Sequence, residues 1–168
     1  MLMRFILLAA LVMLAVGVAA QTGFFERFAT PMAVNVIATN PRPTPSGSVV
    51  LDAGPGGHFF VDAAVSGRSV RFMVDTGASL VVLSAETARR LDIRPTAADF
   101  SGVSRTANGT VRFAPVRLAD IRVGAIRITG VDAAVLPDGA SDTDLLGMSF
   151  LSRLGGFRSD GRTMVLAP

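Results

Sequence analysis

Two apolar runs joined by a short polar loop constrain this chain more than any other feature. Phe72-Met73-Val74 leads into Asp75-Thr76-Gly77-Ala78-Ser79, and Leu80-Val81-Val82-Leu83 leads out. Short apolar runs of this kind read as buried strands. A carboxylate at the end of such a strand is costly unless it is hydrogen-bonded or put to use. Thr76 adds a hydroxyl, and Gly77 permits a tight loop with close backbone approach. The pattern predicts an acid held rigidly between two strands. An Asp that only caps a turn leaves the same local trace, so the rest of the chain decides between them.

Most of what surrounds the loop reads as β. His58 to Val65 is a strand, Ser66-Gly67 a turn and Ser69 to Val74 the return strand. Ser84 suits the N-cap of a short helix, Ala85 to Leu91, with Glu86 in its first turn and Arg94-Pro95 beyond its end. Asn-Gly within Thr106-Ala107-Asn108-Gly109-Thr110 is a strong hairpin signal. After it the apolar alternation slips at Ala114-Pro115 and again at Asp120, which predicts bulges or corners in a curved sheet. Ile126 to Val135 reads as a strand pair with Gly130 near its middle. Asp138 to Asp142 reads as a loop, and Asp144-Leu145-Leu146-Gly147 as the end of a buried strand. Met148 to Leu154 allows one or two helical turns, and a last hairpin is expected around Asp160-Gly161. The expected fold is all-β, a closed or nearly closed barrel with one or two short helices.

The N-terminus differs in kind. Residues 1–20 carry Arg4 followed by an unbroken apolar stretch from Phe5 to Ala20, predicting an apolar helix ahead of the domain. The stretch falls short of the ~20 residues of a comfortable membrane span. It ends on small residues, as a cleavable signal peptide does, and an uncleaved anchor reads the same way. Either reading sends the rest of the chain out of the cytoplasm, to a periplasmic location, tethered or released. Residues 21–48 form a lead-in and a Pro-rich spacer, Asn40 to Ser48, leaving 49–168 as the folded domain.

Several chemistries drop out. The chain has no Cys, which removes disulfides and thiol catalysis, and a single His, His58, which leaves no Ser-His-Asp machinery. No metal is expected: Asp138, Asp142 and Asp144 lack the glycine and terminal Glu of a calcium loop and read as a solvated loop. No cofactor is expected either, because no helix follows Gly54-Pro55-Gly56-Gly57 to cradle a phosphate. The net charge is +3 with every basic residue an Arg, scattered singly except for Arg89-Arg90. Without a basic run or interleaved aromatics, nucleic acid is not an expected partner.

Taken in order, the loop at Asp75, a glycine-tipped polar hairpin and the Leu145-Leu146-Gly147 stretch before a short helix resemble the retropepsin-like (clan AA) aspartic proteases. The similarity is greatest to their bacterial membrane-associated or periplasmic branch with one catalytic motif, and it covers His58 to Leu166. Ser79 stands where Thr is commoner and keeps the hydroxyl. The resemblance implies a catalytic Asp75, supported by Thr76, Gly77, Ala78 and Gly147, with Thr106, Ala107, Asn108 and Gly109 as a flap over the substrate. It implies a peptide or protein substrate and no cofactor. Only one such loop is present: Asp142-Thr143-Asp144 lacks the glycine, and Asp160-Gly161 lacks the hydroxyl and the apolar entry. A two-carboxylate mechanism then requires a homodimer. The competing reading is a domain of the same fold kept as a peptide-binding or dimerisation module without peptidase activity.

Overall fold

Burial alternates residue by residue along the strand that ends at Asp75. Val70, Phe72 and Val74 face the core while Arg71 and Met73 do not, as the period of a half-buried strand requires. This computed structural model describes residues 42–43, 47–106 and 109–168. The expected N-terminal helix lies outside them, as do most of the lead-in and the hairpin positions Ala107 and Asn108. Among the described residues, no helix is long and apolar enough to cross a membrane.

The strands are β1 (Arg42–Pro43), β2 (Val49–Asp52), β3 (Phe60–Val65), β4 (Arg68–Val74), β5 (Val81–Leu83), β6 (Gly102–Thr106), β7 (Gly109–Val123), β8 (Ile126–Val135), β9 (Asp144–Leu146), β10 (Gly156–Ser159) and β11 (Thr163–Ala167). Among the described residues, two short α-helices, α1 (Ala85–Arg90) and α2 (Met148–Leu151), accompany them. The strands β3, β4, β9, β5, β8 and β7 are hydrogen-bonded in that order, and β7 returns to β3 through Ala64↔Arg122 and Val65↔Ile121. The expected barrel is therefore closed. Among the described residues, strand β6 pairs only with β7, and it projects from it as a hairpin. A second sheet, β1-β2-β11-β10, adds Val49, Leu51 and Leu166 to the same core as Phe72, Phe150 and Ile121. Each such side chain contributes about 1.5–3 kcal/mol by leaving water.

Several local expectations hold. Ser84 caps α1, its hydroxyl accepting from the Thr87 N–H at 3.2 Å. The turn between β3 and β4 uses Ser66 and Gly67, both at positive φ. The last hairpin turns at Asp160, as read.

Four details differ. Ile126 to Val135 is one strand, not a pair. Gly130 breaks its parity at φ +60°, and β7 slips at the same level, so Leu118↔Val131 and Asp120↔Thr129 stay in one register. The paired slip bends both strands together and needs no inserted residue. The slip at Ala114 marks where β7 exchanges β6 for β8 as partner. Arg42–Pro43, assigned to the spacer from sequence, pairs with Val49–Val50. Asp144 is not part of a solvated loop: it is 6% exposed in β9. Its Oδ1 accepts from the Ser84 N–H (2.7 Å) and its Oδ2 from the Thr87 hydroxyl (2.6 Å), which satisfies the buried carboxylate and pins the start of α1.

Candidate active site

The loop at Asp75 is built as a clasp. Strand β4 enters it and β5 leaves it, and β9 lies between the two. Pairing is parallel to β4 (Val74↔Leu146) and antiparallel to β5 (Val82↔Leu145). The Asp75 N–H continues the ladder to the Leu146 carbonyl at 3.1 Å. Its carbonyl accepts from the Ala78 N–H at 3.3 Å, closing a tight turn. Its carboxylate Oδ1 accepts from the Gly77 N–H at 2.8 Å. A side chain at 77 would crowd that oxygen, with its Cβ only 3.2 Å away. The carboxylate is thus aimed by its own backbone and left half-exposed.

The helix after β9 locks the far arm. The Met148 N–H donates to the Ala78 carbonyl (2.8 Å) and the Ser149 N–H to the Ser79 carbonyl (2.9 Å). The Ser149 hydroxyl accepts from the Val81 N–H (2.9 Å) and donates to the Asp132 carbonyl (2.7 Å), joining α2, β5 and β8. Gly147 makes this approach possible. A Cβ there would overlap the Leu80 carbonyl oxygen and stand 2.7 Å from that of Ala78.

Above the loop lies a cleft of about 650 Å³. Asp75, Gly77 and Ala78 line one side, and the β6–β7 hairpin and the loop before β9 line others. The half-buried Val82 and Leu145 belong to its apolar wall. The strands place them there: Val81 and Leu83 face the core, so Val82 between them faces the other way. The hairpin contributes Val103, Ser104, Arg105, Val111 and Phe113, of which register opposition puts Ser104, Val111 and Phe113 on one face. Gly102 stands opposite Phe113.

Among the residues singled out from sequence, Asp75, Gly77 and Ala78 come together at the cleft, and Gly147 backs them. Thr76 is exposed and does not line it. Thr106 and Gly109 pair with each other at the end of the β6–β7 ladder. Ala107 and Asn108 lie outside the described residues. His58 is exposed beside a short 3-10 turn, Pro55–Gly57. Sequence reading missed Ser149 and the cleft walls Val82, Phe113 and Leu145. Val82 was legible from its parity; Ser149 was not, because a lone Ser in a helical turn carries no pattern.

A family model described as gag-polyprotein putative aspartyl protease matches residues 61–153. The chain belongs to this family. The match takes in the clasp, the hairpin, β9 and α2. Among solved structures, the fold resembles a retropepsin-like aspartic protease from Rickettsia conorii, at 35% identity and a TM-score of 0.65, over 71% of this chain and 89% of that one. The EIAV protease, solved with the inhibitor HBY-793, shares the fold at 19% identity and a TM-score of 0.50, over 60% of this chain and 90% of that one. Two curated relatives are similar: an uncharacterised protein in the cobV 5′ region of Sinorhizobium sp (42% identity, 63% of this chain, 46% of the relative) and the uncharacterised protein RP867 of Rickettsia prowazekii (34% identity, 73% and 52%). The chain spans about half the length of these curated relatives. The retropepsin-like fold expected from sequence is therefore the fold observed.

Proposed function

We propose that this retropepsin-like chain is an aspartic endopeptidase that works as a homodimer, with Asp75 of each copy forming the catalytic pair. The observation that carries the reading is the Asp75 carboxylate, half-exposed at a cleft and oriented by the Gly77 N–H at 2.8 Å. One carboxylate cannot both take a proton from water and give one to a carbonyl in the same step. Two carboxylates ~3 Å apart cannot both ionise, so they share a proton. The ionised partner takes a proton from water as its oxygen bonds to the scissile carbonyl carbon. The protonated partner donates to the carbonyl oxygen. As the tetrahedral adduct collapses, one of its hydroxyls returns its proton to the now-ionised carboxylate, the C–N bond breaks, and the amine leaves with the proton held by the other, which restores the shared proton.

The remaining roles follow. The exposed Thr76 hydroxyls brace the two loops across the two-fold axis. Hairpins around Thr106 to Gly109 cover the peptide, which lies extended in the cleft and exposes its backbone to strand-like pairing. Residues 1–20 deliver the domain to the periplasm, as a cleaved signal or a retained anchor.

Cleavage of a denatured-protein substrate by the full-length chain, with Asp75→Asn alongside and over a dilution series, tests this. The expected result is a fall in the mutant of about 10²–10⁴-fold or more. Its melting temperature should be nearly unchanged, because Asn retains an oxygen for the Gly77 N–H. Specific activity should also fall on dilution. Cleavage that survives Asp75→Asn contradicts the mechanism, whereas peptide binding without cleavage by either protein favours the non-catalytic module.

A further inference from the structure

The Phe113 ring occupies an unusual seat. Three of its carbons lie closer than 3.0 Å to the point where a side chain at Gly102 would begin. Carbon atoms in ordinary contact stay about 3.5–4.0 Å apart, so only glycine at 102 leaves room for this ring. Register opposition places Gly102 and Phe113 on the hairpin face that also carries Ser104 and Val111. The ring is half-buried and forms part of the cleft wall. It is therefore bounded by the β6 backbone on one side and the cleft on the other. Any displacement of the ring away from Gly102 would carry it toward the cleft.

We infer that Phe113, seated on Gly102, sets the size of substrate side chain the cleft accepts beneath the base of the hairpin. The inference rests on the proposed reading of the cleft as a peptide site. Small and medium aliphatic side chains fit against the retracted ring, and large aromatic ones collide with it. Phe113→Ala removes the wall and admits aromatic side chains. Gly102→Ala drives the ring into the cleft and narrows the preference further. Phe113→Leu placed on Gly102→Ala relieves the crowding and restores the original range. Selection between side chains differing by a few carbons is worth about tenfold or more in a hydrophobic pocket.

The test uses octapeptide mixtures with one position fixed in turn as Ala, Val, Leu or Phe. Cleavage is read by mass spectrometry, and binding by fluorescence anisotropy of labelled mixtures on full-length Asp75→Asn. Phe113→Ala and Phe113→Leu are tested singly, and Gly102→Ala alone and with Phe113→Leu, each checked by its melting curve. The expected result is a shift toward Phe of about tenfold at one peptide position in Phe113→Ala. In Gly102→Ala the shift runs the opposite way, and the double variant recovers. The same size profile in all variants overturns the inference while leaving the protease reading intact. A binding profile that follows residue 113 without any Asp75-dependent cleavage does the reverse. Failure of every mixture to bind overturns both.

Discussion

The Asp75 loop and the β6–β7 hairpin face the same cleft and are held in opposite ways. The loop is gripped on both arms by β9 and tied again by Met148 and Ser149. Its fit is so close that Gly147 has no room for a methyl group. Among the described residues, β6 of the hairpin pairs with β7 alone, and its Val103 is 62% exposed. A carboxylate that must meet a substrate carbonyl needs fixed geometry, because small misplacements cost large factors in rate. A cover that must admit an extended peptide needs few contacts to break. The difference in packing is the one the proposed function asks of a fixed acid and a movable cover.

Gly147→Ala should break the comparison from the rigid side. The neighbours of the added methyl are backbone carbonyls that cannot turn aside. The expected loss is about 3 kcal/mol, at the upper end for overpacking, read by chemical denaturation. A loss below about 1 kcal/mol would show that the clasp can relax.

Val103→Ser probes the loose side. The exposed side chain contributes little burial, so stability should change by no more than about 0.5 kcal/mol in the same assay. A larger loss would mean the hairpin is anchored as firmly as the loop.

The terminal hairpin sharpens the contrast more gently. Asp160 accepts from the Thr163 N–H (2.7 Å), the Arg162 N–H (2.9 Å) and the Thr163 hydroxyl (3.0 Å). These bonds, the Thr163 and Arg162 N–H groups foremost, hold its pKa below the usual 3.8. A lowered carboxylate pKa stabilises the folded state above the unfolded value and loses that contribution as pH falls through the folded one. Melting temperature should therefore drop further below pH 3.8 in the wild type than in Asp160→Asn. Equal slopes would remove the role of that turn.

How much of this was legible in the sequence follows from range. Signals carried by neighbours in the chain survived: the Ser66-Gly67 turn, the Ser84 cap and the apolar strands flanking Asp75. Signals needing a distant partner did not. Asp144 looked solvated beside Asp138 and Asp142, and only pairing of β9 between β4 and β5 buries it against Ser84 and Thr87, some 60 and 57 residues earlier. Gly130 looked like a turn between two strands, and only β7 slipping beside it makes one bent ladder. The role of Gly147 followed from resemblance, but its reason, the carbonyl of Leu80 where a Cβ would sit, is a tertiary fact.

Subunit mixing tests the central claim most directly, that one loop per chain requires a second copy. Wild type and Asp75→Asn, denatured and refolded together in varied ratio at constant total protein, form mixed pairs carrying a single Asp75. If the site is shared across a two-fold axis, activity should follow the square of the wild-type fraction. Activity proportional to the wild-type fraction would mean that each chain cuts alone, and would contradict the account.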